Sequence, residues 1–441
     1  MRIKDIPGAF NFLLFVVALA LNLTINWQPP LCDGLADPAD YIHQSQLSVF
    51  DKEFYAPHKT EEFSPRPFTV PLFYKLCGSE TGVIIQAQKC LYTFSTFVLL
   101  YALLLFIRSN LIKYLLILAV YLLMSWWNIL GWSLLLLSES VSMSLLFCWV
   151  ATFLIWFKKR GNGLLLAHIL VMLFFSFTRD SWPYVIVAFN TLIAAWFFIS
   201  RDVLLKKWLG VLAFAICIYF TQQQTAKTGM RSELPVLNTI AIRMVPNKEH
   251  LDWFVKKGMP CSEKLKVDFA GLAVRDTLGQ QKIFAFYHDT TYNALFTWVL
   301  AKGQATYMQF LITHPAYTFL LEENPEQIQR VFAHDLFYTD EPRGYVQYLP
   351  SVFPLWNATT VFVLMLVLLA IYGRRKEPVL IITVCIGLMT LLNAWICYNA
   401  DALEVERHLF VTGIMIQLLG FWSAAFIADS LGWKREREKV Q

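Results

Sequence analysis

Acidic and basic side chains that could work together on a substrate stand at a few points in a chain otherwise rich in Leu, Phe and Val. Asp33, Asp37 and Asp40 follow the first apolar run, with Tyr41 directly after them. Arg66 lies in Ser64-Pro-Arg-Pro-Phe68, where two prolines hold the backbone extended. Glu139 sits in Leu137-Ser-Glu-Ser140, Arg179-Asp180 joins two apolar runs, and Glu404-Val-Glu-Arg407-His408 leads into the last one, just after Asp401. A carboxylate can take the proton of an attacking hydroxyl. A guanidinium presents a planar fork of donors that fits phosphate oxygens. Gathered at one depth beside lipid, these groups could bind an anionic amphiphile and move a proton.

Each feature also has a simpler reading. Asp37-Pro38 makes a good helix start, with Pro in the first turn, yet a cap needs one carboxylate and three stand here. Glu139 could end a helix against headgroups, which Ser or Asn would do at lower cost. Arg179 and Asp180 could satisfy each other as an interfacial ion pair. Positions 404, 407 and 408 share a helical face, where ion pairing could simply anchor the helix. Arg66 reads most simply as a solvated loop cation, Trp126-Trp127 as an interfacial belt, and His314-Pro315 as a turn.

The elements that must position these groups follow from composition. Of 441 residues, 57% are hydrophobic and only 16% charged, against about a quarter charged in soluble domains. The net charge of +5 sits in short clusters between apolar runs, where it acts as a topology signal and not as a nucleic-acid surface. The eight Cys show no C-x-x-C pair and no Cys/His spacing suited to zinc. Cys90, Cys148, Cys217, Cys385 and Cys397 lie in apolar runs and read as small buried hydrophobes. Cys32 and Cys77 bracket the first polar loop and could be bridged in an oxidising compartment. No small-residue cleavage site follows Leu19-Ala-Leu-Asn22, so the first run is expected to stay as a span.

Ten apolar runs are expected to cross the bilayer: 8–26, 88–107, 111–129, 133–157, 163–177, 183–200, 208–221, 352–372, 378–397 and 409–428. With both ends cytoplasmic, every inside segment carries at least two cations: Arg2/Lys4, Arg108/Lys113, Lys158-Lys159-Arg160, Arg201/Lys206/Lys207, Arg374-Arg375-Lys376 and the basic tail. The fold class is therefore all-α and polytopic. Residues 1–221 form a bundle of seven helices including a first outer loop at 27–87. Residues 222–351 form a large, mostly helical outer subdomain, and 352–441 supply the last three helices and the tail. Within the large loop, Asn293–Tyr317 is apolar but broken by Lys302, Gln304, Gln309 and His314, which suits an amphipathic helix on the surface or packed on the bundle. A transporter or flippase would need polar residues at mid-span, and the spans read nearly bare there. An assembly or anchoring protein would not need acids and arginines aligned at one depth.

In these residues the chain resembles the GT-C superfamily of polytopic glycosyltransferases. The likeness lies in the short N-terminus and single span before an acidic first loop with D-x-x-x-Y (Asp37 to Tyr41), in R-P-x-x-x-P (Arg66, Pro67, Pro71), and in S-E-S at Ser138–Ser140. It continues in the large loop before the last spans, in Asn238-Thr-Ile-Ala-Ile-Arg-Met-Val-Pro246 and in Asp401-Ala-Leu-Glu-Val-Glu-Arg-His408, which are similar to bacterial members. The resemblance implies an inverting hexosyl- or pentosyltransferase of the cell envelope, with its active site in the periplasm or an equivalent lumen. Its donor would be a polyprenyl-phosphate-linked sugar, its acceptor a glycan, lipid or protein, its other partners membrane lipids and no nucleic acid. Asp37 would be the base, with Asp40 and Asp33 behind it. Glu139, Arg179, Asp180, Arg407, Glu404, His408, Arg66 and Tyr41 would bind substrate. No cofactor is implied; metal use varies in the family, and no ligand cluster here demands a divalent ion.

Overall fold

The computed structural model describes residues 6–25, 36–55, 65–229, 231, 233–269, 286, 289–320, 344–348, 356, 358–372, 378–400 and 405–440. Every regular element among them is helical. In chain order these are α1 (Ile6–Thr24), α2 (Ala36–Gln46), α3 (Thr69–Leu76), α4 (Thr81–Leu104), α5 (Asn110–Met124), α6 (Trp127–Leu130), α7 (Ser138–Lys159), α8 (Asn162–Ser176), α9 (Trp182–Ile199) and α10 (Leu205–Thr228). Then follow α11 (Glu233–Thr239), α12 (Lys248–Lys256), α13 (Glu263–Phe269), α14 (Asn293–Trp298), α15 (Gln304–Thr313), α16 (Pro315–Leu320), α17 (Ala358–Tyr372), α18 (Pro378–Ala400) and α19 (Val405–Val440).

Seven of these helices are long and apolar enough to cross a membrane: α1, α4, α7, α9, α10, α18 and α19. Helix α5 and the turn Trp127–Leu134 qualify together, bent by 62°, as an eighth, broken span. Helices α8 and α17 are apolar but shorter. The chain is a multi-pass integral membrane protein, and seven or eight is the number of spans that length and composition carry among the described residues.

One end of the bundle gathers the cations of the α4–α5, α7–α8 and α9–α10 junctions. Asp429 of α19 accepts from the backbone N–H groups of Arg108 and Ser109 at 3.2 and 2.7 Å, placing a carboxylate at the N-terminus of α5. Lys207 reaches Asn162 at 3.0 Å, and Arg160 ends α7 in the left-handed region at φ 59°.

The broken span carries the chain into the opposite, acidic end. Residues 129–144 are buried, although Leu135–Leu137 leaves the helical path. Irregular backbone at membrane depth survives only where protein satisfies it. Gln88 of α4 donates to Ser133 O and Leu135 O at 3.3 and 2.9 Å, and the Tyr74 hydroxyl lies 3.3 Å from Leu137 O. Of the Trp126–Trp127 pair, Trp127 packs into the core at the bend, 3% exposed, while Trp126 stays half-buried.

Close helix approach supplies the packing in lipid, where apolar surface alone drives little association. Gly387 of α18 faces Met365 of α17, and Gly420 of α19 lies against the ring of Trp356. A Cβ at Gly420 would overlap that ring. Gly420→Ala is therefore expected to cost about 1–3 kcal/mol through overpacking, read as a lower melting temperature in detergent, with most of the loss removed by adding Trp356→Leu.

A second hydrophobic cluster gathers Phe254, Trp298, Tyr307, Phe310 and Tyr317 from α12 and α14–α16. It meets the C-terminal end of α18: Arg243 Nη1 donates to Tyr398 O at 2.6 Å and Tyr307 Oη to Asn399 O at 2.7 Å. A cation and a phenol thus satisfy carbonyls that the end of a helix leaves open. The Asn293–Tyr317 stretch is three helical pieces joined by a wider turn at Val299–Gly303, packed against α18 through Tyr307.

Candidate functional site

The acidic end is assembled where α7 and α19 begin and where α8 turns into α9. Trp132, in the turn before α7, packs on Phe410 of α19 at 4.7 Å, which sets the first turns of α7 and α19 side by side. Glu139 is fully buried there. Arg407 Nε donates to its Oε1 at 2.6 Å, and Ser138 Oγ donates to Oε2 at 3.4 Å. Arg179 Nη1 stands 4.0 Å from the same Oε1, outside hydrogen-bond range. The other arm of Arg179 donates to His408 Nδ1. Arginine has no acceptor, so this ring nitrogen is the accepting one. Glu139, Arg407, Arg179 and His408 form one network of ion pairs and hydrogen bonds.

Arg179 and Asp180 do not pair with each other, contrary to the simpler expectation for neighbouring opposite charges. Asp180 turns away to Arg231, whose Nε lies 3.1 Å from Oδ2, and to Gln222, whose Nε2 donates to Oδ1 at 2.5 Å. Successive residues at a helix junction point to different sides, and each found a better partner from another segment. Arg231 also donates from Nη1 to Pro65 O at 2.8 Å. The Pro65–Thr69 segment is held again by Thr69, which donates to Phe177 O at 3.1 Å and Phe174 O at 2.8 Å.

That double anchorage brings the first-loop residues to the same end. Arg66 is no solvated loop cation. Its Nη2 donates to Asp40 Oδ2 at 2.8 Å, its guanidinium lies 5.8 Å from the Tyr41 ring centre, and Gln44 binds both its N–H and its carbonyl. Two prolines that fix the backbone also fix where this cation points. Asp37 lies in the first turn of α2 by its backbone; its side chain, together with Asp33, Asp401 and Glu404, lies outside the described residues. Cys32 lies outside them too, while Cys77 is a free thiol whose pKa burial raises.

Several partners escaped the sequence reading. Gln44, Gln222 and Arg231 stand in ordinary polar stretches, and nothing in their spacing marks them as clamps. His168 sits buried inside α8, stacked near Trp149 and Trp208, with Nδ1 3.3 Å from Thr152 Oγ1. It was legible as a lone His in an apolar run, and its aromatic surroundings give it a packing role. Away from the bundle, Lys264 and Thr291 hold the half-buried Asp289 carboxyl down to about 2, and burial pushes the Tyr307 phenol well above its usual value. Among the described residues no three His, Cys, Asp or Glu side chains gather as a metal centre would need.

Fold and site together define a helical multi-pass membrane protein with a buried acid–arginine network at one end of its bundle. Comparison with protein-family models, with curated proteins and with solved structures finds no match.

Proposed function

We propose that this protein is an inverting glycosyltransferase of the GT-C kind, moving a hexosyl or pentosyl group from a polyprenyl-phosphate carrier to an acceptor hydroxyl. The observation that carries the reading is the buried Glu139–Arg407–Arg179–His408 network, standing at the end where Asp40 and Arg66 are also anchored. In this reading α8 and α17 also cross the bilayer, giving ten spans with both termini cytoplasmic. The cations near Asp429 then face the cytoplasm, as the positive-inside bias requires, and the acidic end faces the periplasm.

The acceptor hydroxyl attacks the anomeric carbon from the face opposite the phosphate. An acid of the first loop, Asp37 or Asp33, takes its proton, because Asp40 Oδ2 is already engaged by Arg66. The C–O bond to phosphate breaks, and the departing lipid phosphate gains negative charge. Arg407 is drawn into the pair with Glu139 at 2.6 Å, whereas Arg179 stands 4.0 Å from that carboxylate and bonds to the neutral ring nitrogen of His408 instead. Arg179 is therefore the guanidinium that offsets the growing charge, a role worth about 3–4 kcal/mol in comparable sites. Glu139 orients the two arginines.

The test is purified protein in lipid vesicles supplied with radiolabelled polyprenyl-phosphate hexoses and pentoses. Transfer or slow hydrolysis of one donor, abolished by Arg179→Gln, is the expected result. Neither turnover nor binding of any donor would remove the proposal.

A further inference from the structure

We propose that the outward face of α15 and α16 is a lipid-docking surface, laid in the headgroup region of the leaflet at the acidic end of the bundle. The partner it fits is the membrane itself, and the proposal does not depend on the transferase reading.

From the turn Val299–Gly303 through α16, Ala301, Ala305, Met308, Ile312, Ala316 and Phe319 are exposed, spaced by three or four residues. That spacing sets them along one side of the helical path. Ile312 is 76% and Phe319 68% exposed. The other side of the path is already filled: Tyr307, Phe310, Leu311 and Tyr317 are buried in the outer hydrophobic cluster. Gln304 borders the apolar stripe on one flank and Lys302, Gln309 and Thr313 on the other, all exposed. An apolar stripe between polar flanks, on helices whose core contacts are complete, requires an apolar partner.

Helix α18 identifies that partner. Leu388 and Leu391 stand exposed on this spanning helix, where the surroundings are lipid. Trp395, four residues on from Leu391, shares their side. Its ring stacks on Phe319 at 6.3 Å and 21°, and its Nε1 donates to Thr318 O at 3.2 Å. The lipid-facing side of α18 thus runs directly into the apolar stripe. The depth agrees. Tyr307 meets α18 at Asn399 O, whereas Thr318 meets it at Trp395. The path from α15 to α16 therefore descends toward the bilayer by roughly 6 Å, the rise of about four helical residues. An aromatic pair at that level sits where membrane proteins carry their interfacial belts. Charge fits as well. Residues 290–320 hold no Asp, Glu or Arg and a single Lys, Lys302, so no carboxylate is brought toward anionic headgroups.

The test places full-length protein in vesicles of phosphatidylcholine and phosphatidylglycerol, a fraction of which carries a photoactivatable diazirine near the glycerol end of an acyl chain. Peptide mass spectrometry reads the labelled residues. Met308, Ile312 and Phe319 are expected to label at least about tenfold above Val267 of α13, which is 71% exposed outside the stripe. Ile312→Asp, at a position outside the core, should cut labelling at Met308 and Phe319 by about tenfold with melting unchanged. No label on the three residues of wild type overturns the surface. So does equal label at Val267, or undiminished label in folded Ile312→Asp. Cross-links between copies at Met308 and Ile312, in place of lipid label, overturn it in favour of a second chain as the occupant.

Discussion

Glu139→Ala is expected to destabilise the protein by about 3–5 kcal/mol, the cost typical of removing one partner from a buried ion pair. The carboxylate is fully buried, Arg407 binds it at 2.6 Å, and Arg179 stands at 4.0 Å. Without it two guanidiniums face each other inside the bundle, at the point where α7, α19 and the turn before α9 meet. Glu139→Gln keeps an acceptor for Arg407 and should cost less, since only the charge is lost. Replacing both members, Glu139→Leu with Arg407→Leu, should restore much of the stability, because an apolar pair of similar volume avoids desolvating two charges. Thermal melting of the four proteins in one detergent decides it. A Glu139→Ala variant that melts with wild type would show that the pair is not formed.

The second large effect is on turnover. Asp37→Asn should lower transfer by about 10²–10⁴, the contribution of a positioned general base, with insertion and melting unchanged. Asp33→Asn tests the competing assignment in the same assay. Asp40→Asn is predicted to behave differently. It cuts the Arg66 pair, whose side chains are 24% and 16% exposed, so its stability cost is limited by solvent screening to about 1 kcal/mol or less. Its effect on rate would come through Arg66 and the Pro65–Thr69 segment. If all three asparagine variants transfer sugar normally, the proposed base catalysis is wrong.

These two sets of variants separate two layers of the site. The Glu139 series asks whether the network holds the bundle end together; the Asp37 series asks whether the loop beside it performs proton transfer. A protein that loses stability in the first and nothing in the second would be a well-built membrane protein whose acids serve packing alone.

The sequence alone determined the all-helical class, because hydropathy is a property of the local chain: among the described residues the apolar runs are largely helical, and seven or eight are long and apolar enough to span. Glu139, Arg179, Arg407 and His408, which the sequence marks as charged residues at the ends of apolar runs, meet in one network. The sequence misjudged partners. Arg179 and Asp180 are adjacent and looked mutually satisfied, yet their partners come from Glu139, His408 and Arg231. Arg66 looked solvated and is tied to Asp40. The bend at Trp127, the Gln88 clamp on Ser133 and Leu135, and the contact of Gly420 with Trp356 were equally unreadable. Which helix lies beside which is set by side-chain packing between segments hundreds of residues apart. Hydropathy records only that a residue prefers lipid or protein to water, and so only the tertiary structure decided which charges meet.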